Sequence, residues 1–509
     1  MKFPRPRHHN TGPPPRRVTV VQSAPDDVQR PQPDINGTYA ALVGLALTAV
    51  LAKGDLPSSL ARAASIGALL SLCASMVFDV RRAGIRNLVR ADVMAILSFY
   101  FLTFFEFLFP QPNFDAMVTL ATAHDAILCV NLGFAGLLIG RHLVHPKKQP
   151  FAQTLTYEIP PKWNVVIFWF CFFIGYLHML LAVNFNVVDM VGFFLEQRFS
   201  QPWARGRLGD WKALVGELGL FVYLIPPLGG IIFARRHRYG GFNLLLVCLA
   251  VLFTFFYGFT SGTRNIFASY LVTFLIGYSF ALPFARQKEL VLLCAGSAVV
   301  TIFAAYFMLQ FRNVGLRAYM NGEYDPPRND ERTMFVDYNL FTIAGIIEAF
   351  PAKHAFLGWE TPYLALIRPI PRAIWPGKPE GLSVTMEEVF NAQGLTLGAS
   401  FVGESYMSGG YPVVAIIALC FGMLTGWWNF LASSKNSELG ILIYASGFFA
   451  TVISMRSLFV FTTALLPTVA ALIIGTYAVR IFAAQARQLL SRAAVRSAHE
   501  RRLPPQSRR

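Results

Sequence analysis

Apolar runs of about 18 to 22 residues recur from one end of this chain to the other, and each is long enough as a helix to cross roughly 30 Å of hydrocarbon. A backbone in lipid must bond to itself, so only helices or closed barrels can span, and continuous rather than alternating apolar runs select helices. An apolar content of 54%, with 46 Phe and 14% charged residues, excludes an ordinary soluble enzyme of this length. The sequence therefore predicts an all-α polytopic membrane protein with about twelve transmembrane helices. In the first half the spans run Thr38 to Leu51, Arg62 to Val80, Val93 to Phe109, Ala116 to Gly140, Trp163 to Val183 and Leu214 to Ala234. In the second half they run Phe242 to Thr260, Ile266 to Phe284, Leu290 to Phe311, Tyr411 to Leu431, Gly440 to Met455 and Leu458 to Val479. The first and eleventh are short.

Short loops that keep Lys and Arg face the cytoplasm. Here Arg81, Arg82, Arg86 and Arg90 follow the second span, Arg141, Lys147 and Lys148 the fourth, Arg235, Arg236 and Arg238 the sixth, and Arg286 and Lys288 the eighth. Both termini are then expected in the cytoplasm. The net charge of +16 is largely terminal, since the tail beyond Val479 carries eight Arg against Glu500 alone. An arginine-rich tail beside a membrane reads as a topology signal or a contact with anionic lipid, and no folded basic face points to nucleic acid. Residues 1–36, Pro-rich and polar, are expected to form a disordered cytoplasmic tail, followed by a membrane domain over 37–480 and a basic cytoplasmic tail over 481–509. The first apolar run begins too late for a signal peptide. All six cysteines fall within spans, where they are expected as small buried hydrophobes rather than a disulfide framework or thiol metal site.

This topology leaves two substantial outward segments, 184–211 and 312–410. The longer one holds Asn339-Leu-Phe-Thr-Ile-Ala-Gly-Ile-Ile-Glu-Ala-Phe350, too short and polar to cross and expected as an amphipathic helix lying on the membrane. Next comes Arg368-Pro-Ile-Pro-Arg-Ala-Ile-Trp-Pro-Gly-Lys-Pro379, rigid and basic, and then Gly398 to Tyr406 just before the tenth span. Arginines crowd the outward side: Arg198, Arg205 and Arg207, then Arg264, then Arg312 and Arg317, then Arg368 and Arg372 with Lys378. Guanidinium groups bind phosphate oxygens bidentately and stay charged when partly desolvated, so such a cluster suits a phosphate-bearing ligand, although long loops also carry arginines that merely pair with carboxylates. Among ionisable residues within spans, Glu106, His178 and Glu217 are placed toward outer helix ends, with Asp125 and His124 nearer the middle. Walker, Rossmann, His-Glu-x-x-His and Gly-x-Ser-x-Gly signatures are all absent, as is an evident internal repeat. His354 reads as a helix-end residue ahead of a proton carrier, and a metal centre is not expected.

Across roughly Trp163 to Met455 the chain resembles the Wzy-type oligosaccharide repeat-unit polymerases of O-antigen and exopolysaccharide synthesis. Ile370-Pro-Arg-Ala-Ile-Trp-Pro-Gly-Lys-Pro379 is similar to a Pro-Arg-x-x-Trp-Pro-x-Lys-Pro pattern in that family, supported by Gly403-Glu-Ser-Tyr406 and the Gly262-Thr-Arg264 turn. Arg198 and Gly209 match an Arg-x10-Gly pattern of the first outer loop, whereas no such spacing follows Arg372. The resemblance implies a GT-C-like architecture and a metal-independent glycosyltransferase of the bacterial inner membrane. It would polymerise undecaprenyl-diphosphate-linked repeat units on the periplasmic face, alongside membrane lipids and a chain-length regulator, with no cofactor.

On this reading Arg372, Lys378 and Arg312 bind the diphosphate, with Arg368 in the same segment, while Arg198 and Arg264 share that role or orient the acceptor. Glu404, flanked by small residues and Tyr406, is the first choice for general base, and Asp337 the alternative; a helix-end or salt-bridging role remains open for either. Trp375 stacks on a sugar or anchors the loop at the headgroups. An O-antigen ligase and a flippase or transporter for lipid-linked sugars are the competing expectations.

Overall fold

The computed structural model describes residues 31–146, 148, 151–203, 215–283, 286–312, 314–323, 338–372, 374–379, 381–391, 397–433 and 435–502. Every element among the described residues is helical. The principal helices are α1 (Ile35–Leu51), α2 (Pro57–Ala83), α3 (Ala91–Thr103), α4 (Leu120–Gly140), α5 (Pro161–Ala182), α6 (Val215–Ala234) and α7 (Gly241–Thr260). They continue as α8 (Arg264–Ala281), α9 (Gln287–Phe311), α10 (Asn339–Ala349), α11 (Glu360–Ile367), α12 (Ser400–Asn429), α13 (Glu438–Arg456) and α14 (Phe461–Arg502). Among the described residues nine helices are long and apolar enough to cross a membrane: α2, α4, α5, α6, α7, α9, α12, α13 and α14. Of the other expected spans, α1 has only 17 residues, α3 breaks after 13 into a 3-10 turn, and α8 opens on Arg264-Asn265 and carries Ser269, Thr273 and Ser279.

Two cores divide the bundle. One joins α1 to α4 with α10 and α12, and the other joins α5 to α8 with α13 and the first half of α14. Tight pairing in the first core comes from two small-residue stripes, Gly136 and Gly140 on α4 against Gly422 and Gly426 on α12. A methyl group added to Gly140 would stand 2.4 Å from the Leu419 carbonyl oxygen, and one added to Gly422 would stand 2.7 Å from that of Leu137. Nothing larger than glycine fits between these backbones.

At one end of the bundle the basic turns gather. Arg90, fully buried, donates to Asp79 Oδ2 at 2.7 Å and to both carboxylate oxygens of Asp92 at 2.9 Å. Arg141, also buried, lies 3.3 Å from Asp92 and donates to Ser75 Oγ at 3.0 Å, while Asn429 Nδ2 donates to Asp92 at 2.6 Å. Two cations thus face two anions, tying α2, α3, α4 and α12 together. Burial works against the charge on Arg90, but Asp92 and Asp79 more than offset it and hold its pKa above the ordinary arginine value. A second knot centres on Glu438, which accepts from Arg235 and Arg238 at 3.2 and 3.3 Å, from Tyr239 Oη at 2.6 Å, and from Asn164.

Residues 31–34 are strapped to this end, contrary to the disorder expected as far as residue 36. Gln32 exchanges two hydrogen bonds with the Asn87 side chain and accepts from Arg90 Nη1, and Asp34 caps α1 while its N–H donates to Asp79. Phe482 of α14 packs on Trp163 at the start of α5, so the described chain enters and leaves on the same side. The last helix runs on through Arg502, well into the expected basic tail.

Two further expectations are corrected. The α10 helix does not lie on a surface: Leu340, Ile343, Ala344 and Ile346 are buried, polar Asn339 and Thr342 are fully buried, and the helix wedges between α4 and α12. Its apolar residues surround the helix instead of forming a single stripe. The cysteines all lie in helices, but Cys73, Cys294 and Cys420 sit on exposed faces, with Cys129 and Cys171 buried.

Candidate functional site at the outer end

The end opposite the basic turns is shaped by a break in α12. Gly410 has φ 70 and ψ −159, a region open essentially to glycine alone, and Pro412 follows without an N–H to donate. The carbonyls released by this break are taken by the long outer segment, because Leu357 N–H donates to Met407 O at 2.9 Å and Gly358 N–H to Ser408 O at 3.0 Å. The Phe356 ring fills the space a side chain at Gly410 would need. Residues Ser400 to Ser408 consequently form a buried half-helix at this end, entered through fully buried Ser400 at φ 53.

That half-helix carries Glu404, only 7% exposed. Ser457 Oγ donates to its Oε1 at 2.7 Å and Phe459 N–H to its Oε2 at 3.1 Å, with the Leu458 N–H also within reach. Arg368, at the end of α11, is near enough for its charge to act on the carboxylate. A carboxylate offers about four acceptor positions. Three are used among the described residues. Tyr406, two residues on, packs edge-to-face against Phe356 and Tyr411 and lies near Asp125.

A second group forms around the Ser261-Gly262-Thr263 turn between α7 and α8. Arg198 Nη1 donates to Thr263 Oγ1, Arg312 packs its backbone and side-chain stem against Gly262, and Arg264 follows directly as the first residue of α8. Three arginines distant in sequence thus meet at one turn. Glu106, 3% exposed, belongs to the same neighbourhood. Burial and then Glu106 raise the pKa of the Tyr338 phenol, with Arg264 opposing, so both charges act on Tyr338. Side-by-side packing of α8 and α13 brings Arg264 and Arg456 to the same end.

In the Arg368–Pro379 segment, Lys378 Nζ donates to the carbonyls of Arg368 and Ile370 at 2.8 and 2.9 Å, capping the C-terminus of α11. Arg372 is exposed and Nη2 donates to Pro379 O at 3.3 Å, while Trp375 is half-buried. Both cations therefore fold the segment on itself.

The other sequence candidates distribute differently. Arg205, Arg207, Gly209 and Asp337 lie outside the described residues. His124 and Asp125 are near the outer end of α4 rather than in the middle of a span, because Pro112–Met117 forms a separate short helix and α4 starts only at Leu120. Glu217 is exposed, His178 is buried with its Nδ1 on the Gly175 carbonyl, and Arg317 pairs with Glu196 at 2.7 Å. Sequence reasoning missed Ser457 and Arg456. Their signal was an Arg-Ser pair in the short gap between the last two apolar runs.

Residues 310–478, roughly a third of the chain, match a family model described as a domain of unknown function, DUF8712. No curated protein and no solved structure matches. The matched stretch holds Arg312, Arg368, Arg372, Lys378, Glu404 and Ser457 together, and leaves Arg198 and Arg264 outside.

Proposed function

We propose that this chain is a membrane glycosyltransferase that polymerises polyprenyl-diphosphate-linked oligosaccharide repeat units, working at the end of the bundle that carries Glu404. The observation that carries this reading is the gathering at that end of Arg198, Arg264, Arg312 and Arg368 with a buried, oriented carboxylate. In the reaction the donor's C1–O bond to the diphosphate breaks and the acceptor hydroxyl oxygen bonds to C1. The hydroxyl proton passes to Glu404, and the departing diphosphate is held by guanidinium groups.

By the excess of Lys and Arg in short loops, the knotted basic end faces the cytoplasm of a bacterium and the Glu404 end the outside of its inner membrane. With α1, α3 and α8 crossing as well, the path makes the twelve passages expected. Partners are the lipid-linked glycans and surrounding lipid, with a chain-length regulator as a further candidate.

The test is the glycan profile of a deletion strain complemented with Glu404→Gln or Arg368→Ala chains expressed at normal levels. Single repeats capped on lipid support the polymerase. Intact polymer left on carrier lipid indicates a ligase, repeats trapped inside indicate a flippase, and full-length polymer from both variants removes these residues from the chemistry.

A further inference from the structure

An open groove of roughly 460 Å³ runs between α7, α8 and α9 and is lined almost wholly by phenyl and aliphatic groups. Phe255 and Phe259 come from α7, Phe267 from α8, and Val299, Phe303 and Phe307 from α9. Phe303 is 62% exposed and Phe307 40% exposed, both on a membrane-length helix. From Val299 to Phe307 the α9 wall extends about 12 Å at 1.5 Å per residue. The groove thus follows the α9 axis over about two helical turns.

Its upper end is not apolar. Phe259 stands two residues before the Ser261 turn, Phe267 three residues after Arg264, and Phe307 five residues before Arg312, so the walls rise within about two helical turns to the arginine trio. Phe311 closes the join by packing on Phe259 at 5.2 Å. An ordinary lipid-facing surface offers hydrocarbon contact alone. Here the hydrocarbon wall leads to three cations held at one turn by Arg198–Thr263 and Arg312–Gly262 contacts.

We infer that this groove seats the hydrocarbon tail of a polyprenyl diphosphate lipid, with Arg198, Arg264 and Arg312 taking the diphosphate at its mouth. Flexible unsaturated chains fill an irregular aromatic channel well, and the concentrated negative charge of a diphosphate complements three guanidinium groups better than a single phosphodiester does. The inference rests on the polymerase reading for the identity of the lipid.

The experiment uses the full chain in vesicles of phosphatidylethanolamine and phosphatidylglycerol with a polyprenyl diphosphate bearing a diazirine on its chain. Label is expected on peptides containing Phe255 to Phe259 and Val299 to Phe307, displaced by unlabelled polyprenyl diphosphate and not by polyprenyl alcohol. Arg312→Ala or Arg264→Ala lowers groove labelling about tenfold, the loss of one charge-assisted contact. Phe173→Ala, on another exposed face, leaves it unchanged. Displacement by extra phosphatidylglycerol would mean bulk lipid fills the groove, and cross-links between two copies of the chain would mean a protein contact does; either overturns the inference. Labelling does not need Glu404, so the two readings separate. A labelled groove with polymer unaffected by Glu404→Gln sinks the enzyme alone, and an unlabelled groove with Glu404-dependent polymer sinks only the docking site.

Discussion

The two ends of this bundle use the same residue types for opposite purposes. At the basic end, Arg90 and Arg141 are sealed against Asp79 and Asp92, with net charge cancelled and almost no surface left. At the other, Arg198 is exposed, Arg264, Arg312 and Arg368 are half-buried, and Glu404 accepts from a serine hydroxyl and a backbone N–H. Packing follows the same division. The α4 and α12 backbones touch through glycines toward the basic end, whereas α10 wedges between these helices toward the other. One end fastens the helices through buried ion pairs; the other holds them apart around a buried half-helix.

Substitutions that treat the ends alike test this contrast. Asp92→Ala strands two buried guanidinium groups and is expected to cost about 3–5 kcal/mol, seen as loss of the monodisperse peak and a lower unfolding temperature in detergent. Glu404→Gln should fold and give a nearly normal unfolding temperature while polymer formation falls about 10²- to 10⁴-fold, the usual worth of a general base. If Glu404→Gln instead unfolds as Asp92→Ala does, both ends are fasteners and the contrast fails.

Gly410→Ala forces a side chain into a glycine-only conformation and should cost about 1–3 kcal/mol, with the loss appearing first as protease cutting in the outer segment. Lys378→Met removes two hydrogen bonds to α11 carbonyls, about 1 kcal/mol each, and should loosen Arg368–Pro379 in hydrogen exchange without altering the basic end. The smallest effect concerns pH. Burial and then Arg141 push the His142 pKa down to about 4 from 6.5, so the folded chain holds His142 neutral against Thr38 Oγ1. The stability it contributes is complete above pH 6.5 and is lost as pH falls toward 4. His142→Gln should flatten the acid limb of the unfolding-temperature profile.

Much of this arrangement was written in the apolar runs and the gaps between them. Continuous apolar stretches set the long helices, and the arginines expected on one side do lie at one end, because loop charges cannot cross the helices they flank. The burial of Glu404 was legible because the small residues around it permit close packing. Arg90 and Arg141 misled: in sequence they resemble loop charges like Arg81, and only the return of Asp79 and Asp92 to the same spot turns them inward. The α10 helix misled for the reverse reason, since its polar Asn339 and Thr342 suggested a wet face, yet Asn339 Nδ2 donates to the Leu102 carbonyl inside the bundle. The facing glycines of α4 and α12 were readable as spaced pairs, but which helix meets which is a property of the fold.

The outer end is also finished late in synthesis. Leu357 and Gly358 wait for Met407 and Ser408, and Glu404, carried on the same half-helix, waits in turn for Ser457 and Phe459, 53 and 55 residues further along. Each piece is secured by one made after it. A chain cut before Ser457 therefore lacks both groups that fix the direction of the Glu404 carboxylate.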